Sequence, residues 1–377
     1  MQSGVADYSA AVLEALADLV DVDVITHADA HRRSLPGVRW FRYDDAAALE
    51  RLSGAPDLRL MVIGNNEHHV EVLDLLHRFG GTALCHDVRL TGLVATARAR
   101  RADGVPASAA ALLDAAAKEQ RPDVHADHRW IAPHDYYLAN GYLSEAVLAG
   151  ADAVLVHSPL AATLARLNLP PAQRTRVGVV PFGHRRRVRR PGVERDHVVS
   201  LGVQHWTKDS AKVCEAFVRL ARRHPDLRFA VVGRFADPGL ESECRAVIDA
   251  AGMSARVTLT GWVEPGEYDD WLDRALLAVQ LRSYTNGESS AAVADCFGAG
   301  VPVVTSSTGL GDGQEGICLG VPVDVELDAL VDRVGALLDD PGRRATLAVR
   351  AGAYAEARDF GAVARALVSR ITGPGAT

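Results

Sequence analysis

Apolar and polar positions alternate on two different periods along this chain. Short runs rich in Val, Leu and Ile stand at 22–26, 58–64, 82–85, 153–158 and 177–183, and again at 197–202, 228–234, 257–263, 276–281 and 301–304. Largely apolar runs of this length, closed by Gly, Pro or polar residues, predict strands buried on both faces, as in parallel sheets. Between them lie stretches of helical period. Val12, Leu13, Leu16 and Val20 share one side of a first helix, 70–78 and 267–274 carry others, and 327–338, 345–360 and 362–371 close the chain. Strand and helix alternating at short spacing predict doubly wound α/β domains whose ligands sit beyond the carboxyl ends of the strands. The two series of strands are divided by a basic, proline-marked stretch from His184 to Gly192, which reads as a domain boundary.

The densest chemistry lies in 284–305, YTNGESSAAVADCFGAGVPVVT. Its front half joins turn residues to helix-capping side chains, so a loop should turn directly into a helix whose free N–H groups form a ready anion site. Glu288 and Asp295 stand seven positions apart. Two helical turns separate such residues, so both carboxylates should share one helix face, one of them about 10 Å deeper along the axis. Gly300 to Val304 then stops the helix and enters a buried strand. In a second place a strand ends in Gly202, and Lys208 follows at the start of a helix. A cation there can neutralise a diphosphate leaving group.

These motifs resemble the donor-binding signature of family 4 glycosyltransferases, and Gly300 to Val304 matches that family's Gly-Val-Pro-Val-Val. The resemblance implies an α/β fold of the GT-B type, two Rossmann-like doubly wound domains facing a cleft. Residues 1–184 would form the acceptor-side domain, with a closing helix at 361–377 packing back on it, and 185–360 the nucleotide-sugar domain. The family brackets its donor with two glutamates seven residues apart. Aligned on Gly-Val-Pro, Asp295 takes the ribose-holding position, while Gly287 stands at the sugar-contacting position and Glu288 one place later, so the catalytic sugar contact passes to Glu288. Asn286, Gly287, Ser289 and Ser290 would cradle the donor, Gly202 and Lys208 its diphosphate, and Val263 its base. The family carries an Arg directly after this glycine where Val203 stands, leaving Arg282 or Arg234 to substitute. Thr308-Gly309-Leu310-Gly311 reads as a second glycine-rich loop.

In the first half the resemblance rests on shorter motifs. Gln2 to Ser9 is similar to the family's Ser-Gly-Ile-Ala-Asp-Tyr-Ser, which follows a first strand; no strand precedes it here, so the expectation is a start placed too late or a trimmed chain. Gly4 would then touch the donor phosphates. His86, at a strand end, takes the position of a histidine that contacts the donor sugar, and is a catalytic candidate. Asn65, His68 and Asp87 would line the acceptor side of the same rim. Trp130, Tyr136, Tyr137 and Tyr142 belong to an acceptor-side insertion, and 107–118 reads as an alanine-rich helix.

Composition narrows the partners. A 377-residue chain that is 48% apolar and 24% charged is long enough for two ordinary cores. Its net charge of -7 argues against nucleic acid, which needs clustered Lys and Arg. The five cysteines are dispersed and no apolar run approaches the roughly 20 residues that span a bilayer, which together read as a cytoplasmic protein with reduced thiols. Five arginines within 185–190 leave a peripheral membrane contact open. His125, Asp127, His128, His134 and Asp135 fit no standard ligand spacing, and Asp21-Val22-Asp23 lies on the side of the sheet opposite the rim, so no metal or other cofactor is expected. The function expected is transfer of a sugar from a nucleoside diphosphate sugar to an unknown acceptor, small molecule, glycan or lipid-linked glycan, with retention at the anomeric carbon. The alternatives are a nucleotide-sugar epimerase, a pseudo-glycosyltransferase on the same fold, or a non-catalytic nucleotide-sugar-binding partner.

Overall fold

The computed structural model describes residues 4–26, 35–54, 58–99, 144–283, 285, 287–307 and 316–372. Asn286, the alanine-rich stretch at 107–118, the cluster from His125 to Asp135, the four aromatics of the insertion and the loop from Thr308 to Gly311 lie outside the described residues. The chain divides into two compact units: 1–183 with 286–289 and 360–377, and 184–285 with 290–359.

The first unit holds six described strands, all in parallel pairings. β1 (Val22–Thr26) pairs with β2 (Val38–Arg42), and a separate sheet runs β3 (Leu60–Ile63), β4 (Thr82–Cys85), β5 (Ala153–Val156), β6 (Val177–Val179) in that order. Around them lie α1 (Gly4–Ala17), α2 (Ala46–Ser53), α3 (Val70–Phe79), α4 (Thr91–Ala99), α5 (Ser144–Leu148), α6 (Pro159–Asn168) and α7 (Pro171–Arg174), with the last helix of the chain, α14 (Phe360–Thr372), returning to this unit. Tyr8, Val12 and Leu16 of α1 and Val363, Ala364 and Leu367 of α14 share one core with Leu84, Leu155 and Val180. Strand β2 carries no strict apolar run, since Val38-Arg39-Trp40-Phe41-Arg42 alternates charge with bulk, and the pattern alone does not mark it.

The second unit is a six-stranded parallel sheet of β7 (His197–Leu201), β8 (Arg228–Val232), β9 (Val257–Leu259), β10 (Ala275–Gln280), β11 (Val303–Ser306) and β12 (Leu319–Val321), in the order β12-β11-β10-β7-β8-β9. Its helices are α8 (Ser210–Arg223), α9 (Pro238–Ala250), α10 (Pro265–Arg274), α11 (Ala291–Gly298), α12 (Leu327–Leu338) and α13 (Pro341–Glu356). Successive strand residues feed opposite faces. Val198 joins a core with Phe217 and Phe229, whereas its neighbour Val199 joins one with Phe297 and Val303. The chain winds outward from β7 through β9 and then returns to continue from β10 on the other side. The direction of winding therefore reverses between β7 and β10, the switch point at which open α/β sheets bind ligands beyond their strand ends.

Helix α11 differs from the expectation in one respect that matters. It begins at Ala291, with Ser290 as its cap, so Glu288 lies on the loop before it rather than on a helix face shared with Asp295. Ser290 Oγ accepts from the Val293 N–H at 3.4 Å, and a serine that caps in this way fixes the helix start behind itself.

Candidate functional site

The loops after β7, β10 and β11 meet at the switch point of the second unit. Gly202 follows β7 with φ +86, and Gly233 follows β8 with φ +128; a side chain on Gly233 would lie 2.3 Å from the Gly202 carbonyl oxygen. Only glycine permits both that backbone conformation and that approach. Gln204 is fully buried, donates to Gly202 O at 2.8 Å and accepts from Ser210 Oγ at 3.0 Å, which sets the loop between β7 and α8. That loop makes one 3₁₀ turn over Trp206–Lys208 and enters α8 through Asp209, which is left-handed at φ 51. The Ser283 N–H donates to Thr207 O at 2.8 Å, and the Arg282 N–H to Ser306 Oγ at 2.9 Å, so the three loops are tied together.

Lys208 is the product of this arrangement. Its ammonium donates to Leu201 O at 2.9 Å and stands 3.1 Å from where a Gly202 side chain would begin. Desolvation first, and then the Arg282 charge, lower its pKa to about 7. A lysine depressed in this way gains most from an anionic ligand, because the ligand supplies the charge that the protein withholds. Arg282 is thus brought beside Lys208 from the neighbouring strand end, while Val203 stands 43% exposed at the position next to Gly202.

Asp295 sits in the middle of α11 and keeps 30% of its side chain exposed. Val263 packs partly buried against the same core as Val293 and Cys296, and the neighbouring Trp262 is 58% exposed just beyond β9. Gly287 is left-handed at φ +84, and Glu288 and Ser289 are half-buried on the loop that ends at the Ser290 cap.

In the first unit the strand ends carry a histidine pair. His157 Nδ1 lies 3.3 Å from the Val180 carbonyl oxygen, which can only accept, so that nitrogen carries the proton. Its Nε2 lies 3.2 Å from His86 Nδ1. Burial lowers the pKa of both rings, that of His157 to about 4, so both are neutral at pH 7. With His157 Nε2 the acceptor, His86 Nδ1 must be the donor, and His86 Nε2 is left as a lone pair that is buried without a partner. The Tyr8 ring packs edge-on against both histidines and its hydroxyl accepts from the Gly183 N–H at 3.1 Å. His157 was not singled out by the sequence, where a histidine at a strand end carries no mark of its pairing. Asn65 and Asp87 are together, but their groups are engaged locally: Asn65 donates its N–H to Asp87 Oδ2 at 2.9 Å and its Oδ1 accepts from the Gly92 and Leu93 N–H groups at the start of α4. His68 stands half exposed on a single 3₁₀ turn, 3.8 Å from Glu67. Gly4 is the first residue of α1.

Two charged motifs resolve into ion pairs. Asp23 binds Arg39 at 2.6 Å and Arg51 at 2.8 Å. In the basic linker Arg186 pairs with Glu356 at 3.1 Å, Arg190 with Asp270 at 2.5 Å and Asp273 at 2.7 Å, and Arg187 with Asp269. No group of three or more potential metal ligands occurs among the described residues, and none of the described helices is long and apolar enough to cross a membrane.

Residues 195–340 match the family model described as Glycosyl transferases group 1. No curated protein matches. Among solved structures, sucrose-phosphate synthase from Thermosynechococcus elongatus is similar with a TM-score of 0.64 and 17% identity over 97% of this chain and 92% of that one. HepE from Anabaena, solved with UDP and glucose, is similar with a TM-score of 0.62 and 16% identity over 98% and 96% of the two chains. WaaG, described as a glycosyltransferase involved in lipopolysaccharide biosynthesis, gives 0.64 and 12% over 99% and 97%. The fold is GT-B, with two Rossmann-like domains, as the sequence led one to expect.

Proposed function

We propose that this chain is a retaining glycosyltransferase of the group whose model matches its second unit, using a nucleoside diphosphate sugar and needing no metal. The observation that carries the reading is Lys208, desolvated beside Arg282 at the switch point of the second unit. The chemistry follows from that placement. Lys208, Arg282 and the N–H groups from Gly287 to Ser290 meet the charge that grows on the departing diphosphate, and Asp295 receives the ribose hydroxyls. The bond from the anomeric carbon to the diphosphate oxygen breaks while the acceptor oxygen bonds to the same face, and the acceptor proton passes to the leaving phosphate. Glu288 contacts the sugar; in the first unit the His86 Nε2 lone pair, fixed by its partner ring, can accept from a hydroxyl.

The test is release of nucleoside diphosphate from UDP-, GDP-, ADP- and dTDP-sugars by the intact chain, with the configuration of the product read by proton NMR. Transfer or slow hydrolysis that keeps the α configuration of the donor supports the reading. Inverted product, or free sugar epimer without an acceptor, contradicts it.

A further inference from the structure

Asp295 is one methylene shorter than the glutamate expected at its position, so its reach depends on how it is held. Two side chains from other parts of the second unit hold it. Tyr268 of α10 donates its hydroxyl to Asp295 Oδ2 at 3.2 Å. Arg187 places Nη2 3.9 Å from Asp295 Oδ1 and is itself bound to Asp269. The Arg187 backbone is pinned as well, since its N–H donates to Gly298 O at 2.9 Å. That contact requires glycine: a side chain on Gly298 would begin 2.0 Å from the Arg185 carbonyl oxygen.

The Tyr268 hydrogen bond and the Arg187 charge act on different oxygens of one carboxylate, which still reaches solvent with 30% of its side chain exposed. Desolvation, and next the Asp295 charge, raise the Tyr268 pKa well above its ordinary value, so its hydroxyl keeps its proton and acts as a donor. This contact from α10 engages the acid to which the ribose is assigned above. A plain anchor between two helices would not need to.

We infer that Tyr268 and Arg187 are positioning residues that hold the Asp295 carboxylate toward the two ribose hydroxyls of a nucleoside diphosphate, and so set the preference of this site for ribonucleotides over nucleotides that lack those hydroxyls. The inference rests on the nucleotide-binding reading above. One carboxylate oxygen is held by the Tyr268 hydroxyl and the other faces the Arg187 charge, which restricts the rotation that would otherwise have to be lost on binding.

The test is titration of the intact chain with UDP, GDP and ADP, followed by the 2′,3′-dideoxy analogue of whichever binds. The wild-type chain should prefer the ribonucleotide by about a hundredfold, as expected for two hydrogen bonds to a charged group. Tyr268→Phe should weaken the ribonucleotide about fivefold and leave the dideoxy analogue unchanged. Asp295→Ala should abolish the preference, and adding Tyr268→Phe to it should change nothing further. Arg187→Lys, which keeps the charge but loses the fork, should lower the preference in the same sense and serves if the phenylalanine variant does not fold. Loss of affinity for both nucleotides alike in Tyr268→Phe, or an unchanged ratio, would reduce Tyr268 to a structural anchor and overturn the inference. Tight nucleotide binding without ribose preference in the wild-type chain would also overturn it while leaving the nucleotide reading intact. No binding of any nucleotide would sink the reading itself.

Discussion

Lys208 decides the behaviour of the site at the scale of a single residue. Burial and the Arg282 charge lower its pKa in the folded chain to about 7 from an ordinary 10.5. Between those values the unfolded chain binds the proton and the folded chain does not, so stability rises with pH across that window, by at most about 1.4 kcal/mol per pH unit from this group. Below pH 7 the cost of burying the ammonium is fully present. Nucleotide binding should show the opposite trend: a bound diphosphate favours the charged amine, so affinity should fall as pH rises above 7, by up to about tenfold per unit, with proton uptake on binding. Calorimetry in buffers of different ionisation enthalpy reads that uptake directly, and the trend should vanish in Lys208→Met. His157 offers a second check. Its Nε2 must accept from His86, so His157→Phe should leave His86 free to choose its tautomer and lower kcat more than His157→Gln, whose amide oxygen can still accept. Equal loss in both variants would mean that His157 only fills space.

The elements explain which of these residues could be read from the sequence. Strands β7, β8 and β10 are largely apolar runs, and Gly202, Lys208 and Arg282 follow β7 and β10 within a few positions, so local pattern is enough to mark them. The spacing of Glu288 and Asp295 predicts one shared helix face, but the helix begins only after Glu288. Ser290 captures the Val293 N–H and starts α11 behind Glu288, a choice made by a capping bond that helical spacing does not register. Tyr268 and Arg187 were not legible at all. They stand 27 and 108 positions from Asp295, and only packing of α10 and the linker against α11 brings them near. Strand β2 was missed because its alternation of Arg with Trp and Phe resembles no buried run. Glycine tests this level. Gly298→Ala would drive a side chain into the Arg185 carbonyl, a backbone atom that cannot swing aside, and should cost about 1–3 kcal/mol of stability in a denaturant melt. Gly233→Ala meets both a positive φ and the Gly202 carbonyl, and should destabilise by at least as much. Gly252→Ala, with a positive φ but nothing within 4 Å of the new side chain, should cost less than either.

For the molecule as a whole, the fold was the more legible part, because ten apolar runs in two series suffice to define two parallel α/β units. The order β12-β11-β10-β7-β8-β9 adds what no run of residues states, the place where winding reverses. It is this topology that turns Gly202, Lys208 and Arg282, spread over 81 positions of sequence, into neighbours at one rim. The basic linker illustrates the converse. As sequence it is a cationic patch open to a membrane; in the fold Arg186, Arg187 and Arg190 are committed to carboxylates of the second unit. The central claim is that the rim between β7 and β10 binds a nucleoside diphosphate through Lys208. It is tested most directly by isothermal titration of UDP, GDP, ADP and dTDP into the intact chain and into Lys208→Ala. The account predicts selective binding of one nucleotide and a loss of about 1–3 kcal/mol in the variant. Equal affinity in the two chains, both shown to be folded, or no binding of any of the four nucleotides, would contradict it.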